Sequence, residues 1–163
     1  MTHYLPSFRT VHFTLAMQKI TKQHVDLCAA IEGVLYPWRK LLIAVDGRDH
    51  SGKTTIASFI AWQYSVPVIY TDFFLVKGAE PVRHDYNAIA SLITRRHELN
   101  RPVIVEGIKT LKILENVGCE ADFLVVTENT SSDGSLGEEI TEYARLYRPN
   151  EKANFTFRWA EHG

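Results

Sequence analysis

The sequence predicts an α/β fold, a parallel sheet covered by helices on both faces. Two observations carry this. Short continuous apolar runs alternate along the chain with segments whose apolar residues recur in steps of three and four. That is strand alternating with helix, and it implies right-handed crossovers throughout. The second observation is one stretch. The run Leu41-Leu42-Ile43-Ala44-Val45 leads into Gly47-Arg48-Asp49-His50-Ser51-Gly52-Lys53-Thr54-Thr55, and then into Ile56, Ala57, Ile60, Ala61 and Tyr64 at helical spacing. Such a strand is buried on both faces. Gly-x4-Gly-Lys-Thr between a strand and a helix is a phosphate-binding loop.

The chemistry explains the loop's spacing. Gly47 and Gly52 allow backbone torsions that a Cβ would forbid, so the amides between them can converge on an anion. Residues Gly47, Arg48, Asp49, His50, Ser51, Gly52, Lys53, Thr54 and Thr55 are therefore the candidate nucleotide-binding set. Lys53 is expected on the β- and γ-phosphates and the Thr54 hydroxyl on Mg²⁺. The following helix adds its N-terminal partial charge.

The rest of the chain follows in order. Residues 1–12 predict an extended arm. From Phe13 onward, Phe13, Met17, Ile20, His24, Leu27, Ile31 and Leu35 form one face of an amphipathic helix, with Gly33 near its end and Pro37 barring extension. That face packs on the domain; the alternative is a dimerisation helix, which would make a homodimer. His24 on it reads as a core histidine. Val66–Tyr70 predicts a second strand, with Pro67 at its start or on an edge. Asp72 follows at its carboxyl end, where open α/β sheets bind ligands; the other reading is a turn or capping carboxylate.

Residues 75–84 predict a polar loop. Asp85 then caps a helix carrying Ile89, Leu92, Ile93 and Arg96, or it binds an acceptor. Pro102–Gly107 predicts the third strand, with Glu106 at its carboxyl end to orient Mg²⁺ or hold an acceptor. A short helix over Ile108, Leu111 and Leu114 ends at Gly118. Residues 121–126 predict the fourth strand, 127–137 a loop, 138–147 a helix stopped by Pro149, and 155–159 a fifth strand.

Composition bounds the partners. At 163 residues with a net charge of −1, the chain predicts a single domain over 1–163, with 1–36 as arm and helix, and no surface for nucleic acid. Cys28 and Cys119 lack metal-ligand spacing and suggest a reducing, cytoplasmic compartment. No run is long enough to cross a membrane, and no signal peptide is evident.

Taken together, these marks resemble the uridine kinase-like P-loop nucleoside kinases, a group that includes the nicotinamide riboside kinases. They are Ile43-Ala44-Val45-Asp46-Gly47 running into Ser51-Gly52-Lys53-Thr54-Thr55, Thr71-Asp72-Phe73-Phe74, Asp85 at a helix start, Val103-Ile104-Val105-Glu106-Gly107-Ile108, and Tyr147-Arg148-Pro149 with Ala153. The resemblance spans residues 41–159. It implies a P-loop NTPase three-layer fold with a five-stranded parallel sheet in the order 2-3-1-4-5, and ATP on the loop. It also implies an acidic base after strand two, and Asp85 and Glu106 facing the acceptor.

Two departures stand out. Thr71 occupies the position where the family commonly has its first acidic residue, leaving Asp72 as the candidate base. The family's arginine-rich lid is also missing. Residues 127–140 hold Glu128, Asp133, Glu138 and Glu139 but no Arg or Lys, so Arg145 and Arg148 are the candidate replacements, with Arg48 behind them. The expected function is an ATP- and Mg²⁺-dependent kinase of a nucleoside-like small molecule, with Lys53 and Asp72 as catalytic residues. The alternative is a nucleotide-binding protein without transferase activity. A GTP switch is weaker, because no Asn-Lys-x-Asp run is present to read guanine.

Overall fold

The chain is described by a computed structural model, over residues 19–79, 82–129 and 137–159. The five expected strands form and run parallel: β1 (Leu42–Gly47), β2 (Val68–Tyr70), β3 (Val103–Gly107), β4 (Phe123–Asn129) and β5 (Phe155–Trp159). They lie side by side in the order β2-β3-β1-β4-β5, as the resemblance implies. β1 is central, with Val45 opposite Glu106 on one side and Val125 on the other. Pro67 precedes the edge strand β2, where its missing amide costs no ladder bond; its carbonyl still accepts from the Ile104 amide at 3.0 Å.

Alternate residues of a strand face opposite sides of a sheet, and here both sides are covered. Ile43, Val45, Ile104, Val125 and Phe157 pack under α1 (Lys22–Leu35) and α2 (Lys53–Tyr64), against Leu27, Ile31, Ile56 and Ile60. Leu42, Ala44, Val103, Val105 and Leu124 pack under α3 (Tyr86–Glu98) and α4 (Thr110–Asn116), against Ile89, Ile93, Ile113 and Leu114. Two-sided burial is why these strands read as unbroken apolar runs.

Four expectations change. The first helix starts at Lys22, not Phe13, because Thr21 caps it and its amide donates to His24 Nδ1 at 3.1 Å. Ile20 lies before that cap and is exposed, while Phe13 and Met17, with the arm, fall outside the described residues. His24 is a core residue as expected, edge-on to Phe59 and Phe157 with ring centroids 4.8 and 4.7 Å away. Leu92 is exposed on α3 and leaves the packing to Ile89 and Ile93.

The last two changes concern the end of the chain. β4 runs on through Thr127, Glu128 and Asn129, expected as loop, because these pair with Phe157, Arg158 and Trp159 of β5. Residues 130–136 of the expected lid lie outside the described residues. α5 (Glu138–Tyr147) ends at Arg148, whose φ of 51° breaks the helix. Pro149 then opens a further turn, α6 (Pro149–Lys152), using the ring's fixed φ at a position that needs no amide.

Candidate active site

The carboxyl ends of β1, β3 and β4 converge on the loop Gly47–Thr55. Its start has no room for a side chain. A Cβ on Gly47 would sit 2.4 Å from Ser51 Oγ and from Thr127 Oγ1. Those two hydroxyls share a buried 2.7 Å hydrogen bond that ties the loop to β4. Gly52 takes φ +79°, and the Trp159 indole at the end of β5 fills the space its Cβ would need. Arg48, Asp49 and His50 form the exposed crest, with Thr55 half-buried below. Lys53 folds back over the loop, buried, and donates to the Arg48 carbonyl at 3.2 Å.

Glu106 meets this loop from β3. It is buried, and it accepts from Thr54 Oγ1 at 3.3 Å. Burial pushes its carboxyl above the ordinary range; Lys53 opposes that, and neighbouring Asp72 adds to it. Thr54 and Glu106 together offer two hard oxygen donors, a set that suits Mg²⁺, which keeps its other positions for water and phosphate oxygens.

β2 ends in a single 3-10 turn, Thr71–Phe74. Thr71 points inward. It is fully buried, its hydroxyl has no hydrogen-bond partner, and it occupies the space a Cβ on Gly107 would take. Asp72 leaves the turn on the exposed side, within electrostatic reach of Glu106 and His84. Asp85 caps α3, its Oδ1 accepting from the Ala88 amide at 3.0 Å. Arg145 is exposed on α5, and Arg148 is exposed and paired with Glu151.

Several residues at the site were given no role in the sequence reading. Asp46, at the end of β1, is buried and accepts from the Gly47 amide at 2.7 Å and from the Tyr143 hydroxyl of α5. Its position directly before Gly47 was the available signal. His84 stands beside Asp72 because the Asp85 amide bonds to Phe74 O at 2.7 Å and closes the intervening loop. Burial lowers its pKa, Asp72 raises it and Lys109 lowers it. Lys109, two residues beyond β3, pairs with Glu139. A cavity of about 490 Å³ opens between the loop, β4 and α5; Gly47, Arg48, Ser51, Lys109, Tyr143 and Arg148 are among the residues that line it.

Asp46 makes a pH prediction. Burial raises its pKa from 3.8 to about 6, against the lowering effects of the Tyr143 hydroxyl, the Gly47 and Thr110 amides and Lys53. Between those values the folded state keeps a proton that the unfolded state has released. Stability therefore falls as pH rises through that window, by at most ~3 kcal/mol. Asp46→Asn removes this slope. In urea unfolding, the variant's advantage over the wild type should grow between pH 4.5 and 7.5, and parallel pH profiles would exclude the effect.

No family model matches the chain, and no curated protein matches it by sequence. Solved structures do match. A structure described as a possible uridine kinase from Bacillus stearothermophilus aligns at a TM-score of 0.61 and 17% identity, over 83% of this chain and 97% of that one. A sugar kinase from Janibacter sp. HTCC2649 aligns at a TM-score of 0.44 and 13% identity, over 72% of this chain and 84% of that one. The first likeness shows that the chain has a kinase-like α/β fold.

Proposed function

We propose that the chain is an ATP-dependent phosphotransferase that acts on a hydroxyl of a nucleoside-like small molecule. One observation carries the reading. A phosphate-binding loop with its lysine folded inward lies against a strand-end carboxylate, Glu106, bonded to the loop threonine, and a second carboxylate, Asp72, stands within electrostatic reach. The Gly47–Thr55 amides and Lys53 would hold the phosphates, and Thr54 and Glu106 would hold Mg²⁺. MgATP supplies the transferable phosphoryl group. Lys53 neutralises phosphate charge at a site the fold has already built, which is where most of the catalysis in this chemistry arises. Asp72 takes the proton of the acceptor hydroxyl as general base. Asp85 serves by anchoring the helix that borders the acceptor side.

A second reading, nucleotide binding without transfer, is favoured by the acidic 127–140 segment and by buried Thr71 in the acid position. A phosphotransfer screen over nucleosides and related alcohols, run beside ATP calorimetry, separates the two. Turnover on any acceptor supports the kinase. Tight ATP binding with no turnover on any of them supports the second reading.

A further inference from the structure

We infer that Lys109 is the cation that replaces the lid: its ammonium leaves Glu139 and binds the terminal phosphate of the nucleotide. The inference rests on the phosphotransferase reading above. A triphosphate needs a cation beyond Lys53, because charge on the transferring group must be neutralised. The 127–140 segment offers none. Lys109 lines the same cavity as Gly47, Arg48 and Ser51 of the loop. Its charge also reaches His84, which feels Asp72 as well. The ammonium therefore shares the phosphate loop's cavity and acts on the histidine that also feels the candidate base.

The segment that carries Lys109 is held rigidly. The residue has φ 59° and ψ 39°, a left-handed conformation that costs a non-glycine residue energy and that tends to persist at functional sites. Beside it, the buried Thr110 hydroxyl donates to Gly107 O at 2.8 Å and lies 3.1 Å from Val45 O, pinning the turn to β3 and β1. The side chain is 25% exposed, whereas its partner Glu139 is 74% exposed. An ion pair with one solvated member is weak, so a phosphate can displace Glu139. Arg148 is a poorer candidate: its side chain is 61% exposed and paired with Glu151 one turn away.

Calorimetry with Mg-ADP and with magnesium adenylyl imidodiphosphate, which carries a third phosphate, tests this without an acceptor. Lys109→Met should lose roughly tenfold to a hundredfold in affinity for the triphosphate analogue, with ADP affinity changed by less than about threefold. Lys109→Arg, which keeps the charge, should restore most of the difference. Glu139→Gln should tighten the triphosphate analogue and leave ADP alone. Equal triphosphate affinity for Lys109→Met and wild type, with both binding ADP, overturns the inference and leaves the phosphotransferase reading standing. Failure of the wild type to bind either nucleotide overturns both.

Discussion

Lys53→Ala is expected to weaken MgATP binding by roughly tenfold to a hundredfold, the worth of one charge-assisted contact to phosphate. The structure adds a second consequence. Lys53 is only 6% exposed, and its charge holds down the pKa of both Glu106 and Asp46. Its removal leaves two buried carboxylates without their shared cation. Both then favour the protonated form more strongly, since burial disfavours the charged one. Glu106 must ionise to serve Mg²⁺, so the variant's residual Mg²⁺-dependent binding should move to higher pH. Titration of wild type and variant at pH 6.5 and 8 measures both effects. Equal MgATP affinities would remove the loop from the nucleotide site. A uniform loss at both pH values would show that Lys53 acts on phosphate alone.

What the sequence revealed and what it hid divide along physical lines. The central strands were legible because Ile43 and Val45 face one layer of helices and Leu42 and Ala44 the other, so no polar residue interrupts them. α3 was legible because a local bond, Asp85 to the Ala88 amide, marks its start. The start of α1 was not: apolar spacing continues through Ile20, and the cap uses His24 where a Glu or Gln would be the usual signal. The end of β4 was hidden for another reason. Thr127, Glu128 and Asn129 have loop-like composition, yet they pair with a strand about thirty residues on, and non-local pairing overrides local preference. The same limit applies to the site. Lys53, Thr54 and Glu106 announce themselves by motif or by place at a strand end. Lys109, His84 and Tyr143 reach it only through turns and packing that no spacing encodes.

Asp72→Asn is expected to lower turnover by roughly 10²- to 10⁴-fold, the usual contribution of a positioned general base, while ATP affinity stays nearly unchanged. The split follows from position. Asp72 is exposed on its turn, and it acts on the site through Glu106 and His84 electrostatically. Losing its charge should also let Glu106 ionise at lower pH, because Asp72 helps to hold that pKa up. The variant's Mg²⁺ dependence should therefore shift, if at all, in the direction opposite to that of Lys53→Ala. Glu106→Gln gives the contrast, with weaker Mg²⁺ dependence and a loss in nucleotide binding as well as turnover. Restoring an acid at the preceding position should not rescue Asp72→Asn. Thr71 is fully buried over Gly107, and its hydroxyl is already without a partner; a carboxylate there would be desolvated beside Glu106 and destabilise the fold. The measurement is kcat and KM for each variant on whichever acceptor the screen identifies, with ATP affinity by calorimetry alongside. Full turnover by Asp72→Asn would exclude it as the base and make Glu106 the next residue to test.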